Sequence, residues 1–451
     1  MDARFAGLSR EQLICLVLEL EGTVATQAES IERLQGRVAE LEAKLGGPGL
    51  GTGEPVFVKP NRKRQEAAGP RKRRAQAFVR RREEPTRRVE HAVDECQECG
   101  CHLVGGSVKR SRQVIHVPVV PVEVIEHVYI ERRCPLCGHR NVPKVELAGE
   151  VVGRNRLSTS TMAMIASLHE VGRLPVARIR WLLDSFHKLK LSQGEIVRVL
   201  HTVAKKGGGH LAKLRQELRA SAVVHADETG WREDGRNGYL WSFSNQSLHY
   251  LVRRQSRGSE VVREVLGEDF GGVLVSDFYS AYNFLDGPHQ RCWVHFLRDV
   301  HELKERYPDD ESVRQWADQV HTLYLEAKAH AQHKAQAPRR ERVAARQDFE
   351  ERLLALAQPY LGTEAPQRVL CQRIDHFLGE YFTFVELPQV PSDNNAAERA
   401  LRPHVVSRKI RGGTRSSKGS HTKTTLASLF STWQLQGLNP FLTCRELLNS
   451  P

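Results

Sequence analysis

The sequence predicts a multidomain α+β protein, and three observations support this class. The first 45 residues carry a heptad repeat, two Cys-x-x-Cys motifs follow with 34 residues between them, and helical patterns give way to strands near residue 222. A chain of 451 residues is also longer than one hydrophobic core usually serves. We therefore expect a coil, a small metal-stabilised domain, a helical segment and an α/β body, in that order.

The charge balance indicates a polyanionic partner. Lys and Arg number 67 against 54 Asp and Glu, which leaves a net charge of +13. Acidic substrates and membrane headgroups are the alternatives. No run of eighteen apolar residues exists, so neither a membrane span nor a signal peptide is expected. Nine cysteines, an odd number, favour reduced thiols or metal ligands over disulfides, which is typical of the cytosol.

Residues 8–45 are predicted to form a parallel two-stranded coiled coil that joins two copies of the chain. Mostly β-branched residues at one core position and Leu at the other favour two strands. An amphipathic helix docked on its own domain is the alternative. The first core position holds Val17, Val24, Ile31, Val38 and Leu45, and the second holds Leu13, Leu20, Gln27, Leu34 and Leu41.

Residues 49–90 have no apolar periodicity and are predicted to be a basic linker. Between residues 61 and 90, twelve basic and four acidic side chains give a local charge of +8 (12 − 4). Such a cluster is often a solvated tail, but it also neutralises DNA phosphates without sequence preference. The candidate DNA-binding residues here are Arg71, Lys72, Arg73, Arg74, Arg80, Arg81 and Arg82.

Two cysteine pairs predict a structural zinc site in a zinc ribbon over residues 91–148. Two thiolates spaced by two residues grip a metal from one tight turn, and two such turns complete a tetrahedral site. The Val-rich segment 114–128 is expected to supply strands between them. Four buried reduced cysteines are the alternative. The predicted ligands are Cys96, Cys99, Cys134 and Cys137. Cys101, His102 and His139 are possible substitute ligands, and the remaining cysteines, Cys15, Cys292, Cys371 and Cys444, are expected to pack in the interior.

Residues 151–220 are predicted to be a helical domain that connects its neighbours or binds DNA. Ser158 is a candidate cap for the first helix, and further helices are expected over 176–186 and 192–205. From there the pattern changes to strands at 222–227, 239–243, 247–252 and 272–277, with one helix at 260–266.

Asp227 and Asp277 each end an apolar strand, 50 residues apart (277 − 227). A strand-end Asp is usually a turn or cap residue. Two of them in one sheet, however, can meet at one edge, where they repel unless a divalent cation lies between them. Glu398 is the candidate third donor, in the first turn of a helix that Asp393 or Asn394 caps. The alternative is a surface pair of Glu398 with Arg402.

Several segments together resemble the transposases of the insertion sequence sixty-six family, a branch of the DDE transposases. The resemblance covers nearly the whole chain and rests on the coil, the cysteine pairs and five motifs. These are His225-Ala-Asp227-Glu-Thr-Gly-Trp231, Gly272-Val-Leu-Val-Ser-Asp277-Phe-Tyr-Ser-Ala-Tyr282, Cys292-Trp-Val-His295 with Arg298, Asn394-Asn-Ala-Ala-Glu398-Arg-Ala-Leu-Arg402-Pro, and Gly437-Leu-Asn-Pro440.

The resemblance implies a ribonuclease-H-like α/β catalytic core formed by residues 221–295 and 391–425, with a helical insertion at 296–390 and a tail at 426–451. It maps the catalytic triad onto Asp227, Asp277 and Glu398, which would hold Mg²⁺ or Mn²⁺ for phosphodiester hydrolysis and strand transfer. The implied partners are double-stranded DNA at element ends and target, and accessory proteins of the element. The implied cellular location is the bacterial cytoplasm, in association with the nucleoid.

Other polar residues near the acids are weaker candidates. His225, His295 and Arg298 are candidate orienting or phosphate-contacting groups, against ordinary packing, and Glu228 is a reserve metal ligand. A basic cluster after Glu398 is expected to contact DNA, with a solvated face as the alternative. Its predicted DNA-binding members are Arg402, Arg408, Lys409, Arg411 and Arg415.

Two other functions stay open from the sequence alone. The first is a catalytically inactive or domesticated DNA-binding dimer, which would use the coil, the zinc ribbon and the basic linker. The second is a zinc-stabilised scaffold for other proteins, which would bind DNA negligibly.

Overall fold

A computed structural model describes residues 82–450, apart from 118, 119, 145, 146, 148 and 154. The predicted coil of 8–45, the linker up to residue 81, and Arg71, Lys72, Arg73, Arg74, Arg80 and Arg81 lie outside this range. The chain divides into two units, one ending at Ile115 and one beginning at His116, and each is described by itself. Within the described range, no helix combines the length and apolar character needed to cross a membrane.

A two-stranded antiparallel hairpin precedes the helical body, and it carries the second cysteine pair in its turn. Its strands are β1, Arg132–Arg133, and β2, Arg140–Asn141. The described residues of the Val-rich segment 114–128, in contrast, form no strand. Their apolar side chains are exposed, Val117 by 83% and Val124 by 85%. Because neither face of this segment is buried, burial does not stabilise the strand pairing that the sequence predicts there.

Four helices form the first part of the second unit. Ser158 caps the first through a 3.2 Å hydrogen bond from the Thr161 amide, as the sequence predicts. Ser192 and Glu195 form a reciprocal capping box on the third. The helices are α1, Thr159–Glu170; α2, Val176–His187; α3, Gln193–Lys206; and α4, Gly208–Arg219.

A mixed five-stranded sheet follows, in the order β5-β4-β3-β6-β7. The first three strands form an antiparallel meander, while β6 pairs in parallel with β3, and β7 pairs in parallel with β6. One helix, α5, joins β5 to β6. The bounds are β3, Val223–Gly230; β4, Tyr239–Ser244; β5, His249–Arg254; α5, Ser259–Leu266; β6, Val273–Ser276; and β7, His289–Arg291.

Five helices come next, in the range predicted to be a helical insertion. They pack around one hydrophobic core that contains Trp293. The Trp293 ring stacks on Tyr324 at 4.9 Å, and its indole N–H donates to the Tyr381 carbonyl at 2.6 Å. The helices are α6, Trp293–Arg306; α7, Glu311–His333; α8, Arg339–Ala357; α9, Arg368–His376; and α10, Thr383–Glu386.

Three C-terminal helices complete the fold: α11, Asn395–Arg411; α12, Ser417–Leu435; and α13, Pro440–Asn449. The predicted boundary between catalytic core and tail, at 425 and 426, falls inside α12. The helix is continuous there because Ser416 caps its start and no helix-breaking residue occurs between Gly419 and Gly437. Leu426, Phe430 and Trp433 pack in one core with α1 and α3.

Helices cover both faces of the sheet. Val224 and Ala226 of β3 pack with Val261 and Val265 of α5 on one face. On the other face, Leu240 and Leu251 pack with Leu401 of α11 and Ala427 of α12. Because side chains alternate along a strand, His225 and Asp227 lie on the α11 face.

Candidate active site

The register of two parallel strands brings Asp227 and Asp277 to the same edge. Val223 of β3 pairs with Val273 of β6, and His225 pairs with Val275, so the pairing offset is 50 (273 − 223). The same number separates the two acids (277 − 227). Asp227 and Asp277 therefore each lie two residues beyond the last residue pair of β3 and β6, at the same level of the sheet.

Asp227 nevertheless lies within its strand, and the predicted strand end at this residue is wrong. β3 continues to Gly230 because β4 pairs with it along this stretch, with Asp227 opposite Ser242. On the other side β6 ends at Ser276, so no strand pairs with β3 beside Asp227 there. The half-buried Asp277 fills the start of the turn after β6.

Asn394 fixes the start of the helix that carries Glu398. Its side chain donates to the Ala226 carbonyl at 2.8 Å, and its Oδ1 lies 2.9 Å from Nδ1 of His225. Its main-chain amide donates to Sγ of Cys292 at 3.1 Å. Asn394 is the N-cap residue, as predicted, but its side chain does not cap α11, because it binds β3 instead.

Burial raises the pKa of Asp227 to about 7, assisted by the negative charges of Glu228, Asp277 and Glu398 and opposed by a hydrogen bond from the Glu228 amide. The charges of Asp277 and Glu398 therefore both act on Asp227, as does the charge of Glu228 on the opposite face of the sheet.

Asp277 is supported by Arg291, which sequence reasoning did not single out. Nη1 of Arg291 donates to the main-chain carbonyl of Asp277 at 2.8 Å, and Nη2 donates to Asn283 at 2.7 Å. The guanidinium is fully buried and pairs with Glu380 at 2.6 Å. Its position immediately before the Cys292-Trp-Val-His295 motif was the available signal.

Glu228 is already engaged on the opposite face of the sheet. Arg257 donates to its Oε1 at 2.7 Å, and the Tyr282 hydroxyl donates to its Oε2 at 2.6 Å. Only 3% of its side chain is exposed. The prediction of Glu228 as a reserve metal ligand is therefore wrong, because both carboxylate oxygens are used and strand alternation directs them away from Asp227.

His295 lies beside Glu398, with Nε2 3.5 Å from Oε1. Its other ring nitrogen is buried and has no hydrogen-bond partner among the described residues. His225, by comparison, is a satisfied core histidine that holds Asn394. Arg298 is exposed on α6.

The chemistry of the three acids fits a hard divalent cation. In the part of the chain that the structure describes, none of them forms an ion pair with Lys or Arg, and His295 is the basic neighbour of Glu398. Anionic oxygens free of fixed cations are what Mg²⁺ prefers. Across those same residues, however, no three His, Cys, Asp or Glu side chains stand close enough together to hold an ion.

The two cysteine pairs occupy turns of the same form. In the first unit, the Gly100 amide donates to the Cys96 carbonyl at 2.9 Å, and Gly100 has a φ of 73°. In the second, Gly138 binds the Cys134 carbonyl in the same way, with a φ of 70°. Main-chain N–H groups of each turn lower the pKa of Cys96 and Cys134. Both turns therefore favour thiolates.

The predicted DNA-contacting residues of the second unit divide into two sets. Arg402, Lys409 and Arg415 are exposed. Arg408 instead donates to Thr229 at 3.2 Å, and Arg411 contacts His169 at 2.6 Å. In the first unit, Arg82 donates to the Ser111 carbonyl at 3.2 Å.

The mixed α/β fold places Asp227 and Asp277 at one level of the sheet, and comparison with known proteins gives the class. Residues 154–422 match the family described as Transposase IS66 family, and this range includes all three acids. The match spans more than half of the chain, and the protein belongs to this family.

A relative in Sinorhizobium fredii is called uncharacterized protein y4jO. It is 31% identical over 201 residues, which cover 44% of this chain. The aligned part spans 58% of the relative's length.

Proposed function

We propose that the protein is a metal-dependent DNA transposase that binds the ends of its insertion sequence, cleaves them and joins them to target DNA. The observation that carries this proposal is the in-register placement of Asp227 and Asp277, with Asn394 tying the Glu398 helix to the same strand. Family membership supports the same function.

We infer a ribonuclease-H-like core from the order of the sheet. Three antiparallel strands followed by two parallel ones, with helices on both faces, form an open sheet. Its first and fourth strands in chain order, β3 and β6, are neighbours. Asp227 lies within β3 and Asp277 directly follows β6, so the two carboxylates can be presented together to DNA.

In the proposed mechanism, Asp227, Asp277 and Glu398 hold two Mg²⁺ or Mn²⁺ ions, which would activate the attacking oxygen and stabilise the leaving oxygen. Hydrolysis forms a bond between the water oxygen and phosphorus, breaks the bond from phosphorus to O3′, and leaves a 3′-hydroxyl. In the same active site, that hydroxyl then attacks the phosphorus of a target phosphodiester and displaces the 3′ oxygen of the target strand. His295 would orient the Glu398 carboxylate, and Arg291 would hold the Asp277 turn.

Double-stranded DNA would be bound mainly through phosphates. Arg402, Lys409 and Arg415 supply exposed positive charge after Glu398, and the linker up to Arg82 supplies more. Such contacts release counterions and give salt-sensitive affinity. Arg408 and Arg411 are committed to contacts within the protein, so they do not belong to this surface.

The remaining proposals concern assembly. Residues 8–45 would join two copies as a coiled coil, and Cys96, Cys99, Cys134 and Cys137 would hold one structural zinc ion. Accessory proteins of the element would assist, and the protein would act in the bacterial cytoplasm at the nucleoid.

A strand-cleavage and joining assay tests the function. Purified full-length protein is incubated with DNA ends that flank this gene and with target DNA, in Mg²⁺, Mn²⁺ or EDTA. New 3′ ends and joined products that require the metal are expected. The proposal would be contradicted if the protein binds DNA but cleaves none of it in either metal. That result must hold when cell extract is added as a source of accessory proteins.

One observation favours a second candidate, a catalytically inactive or domesticated DNA-binding dimer. Among the described residues, the three acids are near one another but not gathered as a set of metal ligands. The same assay separates the two functions, because the inactive dimer predicts salt-sensitive binding without metal-dependent products.

A further inference from the structure

A cavity lined by both charged and apolar side chains lies between the end of α1 and the helices α11 and α12, apart from the three acids. It has a volume of about 60 Å³. Its charged and polar lining includes Glu170, Arg173, His404, Arg411, Lys423 and Gln434. Three of these side chains are cationic and one is anionic, so the lining carries +2 with the histidine neutral (3 − 1).

The single carboxylate is fully used. Oε2 of Glu170 pairs with the Lys423 ammonium at 2.6 Å, and Oε1 contacts Nδ1 of His169 at 2.6 Å. The side chains of Glu170 and Lys423 are only 3% and 8% exposed. Glu170 therefore pairs directly with Lys423, and among the described residues Arg411 forms no direct ion pair with a carboxylate.

Arg411 has an unsatisfied donor at this cavity. Its Nε donates to Ser407 at 2.9 Å, and its Nη1 lies 2.6 Å from Nε2 of His169. Its Nη2 is buried and has no partner in the described part of the chain, and the same holds for Nε2 of the buried His404. A buried polar nitrogen without a partner is costly, so these two atoms mark a place that a hydrogen-bonding ligand can fill.

Arg173 adds a second unpaired cation. It lines the same cavity, and within the described residues it forms no ion pair. Its φ of 56° is left-handed, which is uncommon for a residue other than glycine. Burial lowers the pKa of Arg411, the negative charge of Glu170 raises it, and the positive charge of Arg173 lowers it. The Arg173 side chain itself is exposed.

We propose that this cavity binds a phosphate group, either as free inorganic phosphate or as a phosphodiester of the DNA backbone. A tetrahedral oxyanion accepts hydrogen bonds from Arg411 and His404, and its charge offsets the net positive charge of the lining. One buried water molecule needs roughly 10–15 Å³, so the cavity has space for about four water-sized groups. This space is comparable to the size of a phosphate. Water molecules alone would satisfy the hydrogen-bond donors of Arg411 and His404 but would leave the positive charge of the lining unneutralised.

A bound phosphate would link three helices. Arg173 follows α1, His404 and Arg411 belong to α11, and Gln434 belongs to α12. The occupant would therefore hold the far end of the helix that carries Glu398. This inference concerns a second site and does not depend on the proposed catalysis.

Binding is tested on the full chain in EDTA by equilibrium dialysis against radiolabelled inorganic phosphate, at ionic strength held constant with NaCl. Wild type is expected to bind one phosphate per chain, and thermal unfolding is expected to shift upward by a few degrees as phosphate replaces chloride. No binding by the wild-type chain, with DNA affinity also unchanged in the variants below, overturns the proposal.

Two substitutions report on the cavity. Arg411→Gln removes the unpaired charge and should weaken phosphate binding at least tenfold. Gln434→Glu places a carboxylate at the exposed mouth, so it should weaken binding without disturbing the buried network even if Arg411→Gln fails to fold. The matched controls are Arg306→Gln and Gln436→Glu, which make the same charge changes at exposed positions outside the cavity and should bind phosphate normally. Equal binding by Gln434→Glu and Gln436→Glu contradicts the proposal.

A DNA-binding arm distinguishes the two sources of phosphate. If the occupant is a backbone phosphodiester, inorganic phosphate competes with DNA and Gln434→Glu weakens DNA binding more than Gln436→Glu does. If the occupant is free phosphate, DNA affinity is the same for both variants while dialysis still shows the difference.

Discussion

The carboxamide of Asn394 donates a 2.8 Å hydrogen bond to the main-chain carbonyl of Ala226, the residue immediately before Asp227. Through this bond the helix of the third acid is attached to the strand of the first, although 168 residues separate the two partners. Asn394 also holds His225 and the Cys292 sulfur. The relative position of Asp227 and Glu398 therefore depends on one buried amide side chain.

Asn394→Ala should reduce cleavage more than it reduces stability. Loss of two buried hydrogen bonds costs about 1–3 kcal/mol, and a displacement of Glu398 near 1 Å lowers the rate by roughly a hundredfold. Thermal unfolding and the end-cleavage rate are measured together. Asn395→Ala is the control, because the Asn395 side chain makes no hydrogen bond in the described residues. Equal cleavage rates for the two variants would show that Asn394 does not position the site.

Asp227→Asn should stabilise the metal-free protein at alkaline pH. The folded-state pKa of Asp227 is about 7, above the ordinary aspartate value of 3.8, so protonation of Asp227 favours the folded state and this stability is lost as pH rises toward 7. The asparagine variant lacks that loss. Its advantage in the free energy of unfolding should grow by about 2–3 kcal/mol between pH 5 and pH 8.

This growth is measured by urea unfolding in EDTA at both pH values. Asp309→Asn, at an exposed position, is the control and should follow wild type. Addition of Mg²⁺ at pH 8 should stabilise wild type and not Asp227→Asn. An advantage that is constant with pH would refute the assigned pKa.

One zinc ion per chain should copurify with the protein. Cys134→Ser should lose it, because three thiolates hold zinc far more weakly than four. Cys101→Ser should retain it, since Cys101 lies outside the two Cys-x-x-Cys turns. Metal content is measured by mass spectrometry of the denatured protein. Zinc lost from Cys101→Ser and kept by Cys134→Ser would reassign the ligands.

The exposed basic residues after Glu398 should set part of the salt dependence of DNA binding. Combined Arg402→Gln, Lys409→Gln and Arg415→Gln should reduce the slope of log affinity against log salt by about 2–3, near 0.9 for each DNA phosphate that the variant no longer neutralises. A charge-matched control changes three exposed residues of the range 296–390, namely Arg306, Lys334 and Arg340, to Gln. Equal slopes for the two triple variants would place the DNA elsewhere.

Local sequence signals predicted the elements that local physics determines. The cap at Ser158 satisfies a helix amide with a nearby side chain, so spacing alone reveals it. The strands that carry Asp227 and Asp277 are apolar because both faces of the sheet are covered. Their 50-residue spacing matched the register because β6 runs parallel to β3.

Features that depend on distant partners were not visible in the sequence. β7, with the sequence His-Gln-Arg, has no apolar pattern and is buried by the helices that follow it. The role of Cys292 as an acceptor for the Asn394 amide joins positions 102 residues apart. Arg408 and Arg411 appeared equivalent to their exposed neighbours, and only packing of α11 against β3 and α1 directs them inward.

The most direct test of the central claim compares end cleavage by Glu398→Gln and Glu302→Gln. Both substitutions remove one carboxylate, and Glu302 is exposed on α6. If Glu398 is the third acid, its variant should bind DNA ends as wild type does and lose cleavage by about a hundredfold or more, while Glu302→Gln stays active. Full cleavage by purified Glu398→Gln would contradict the assignment.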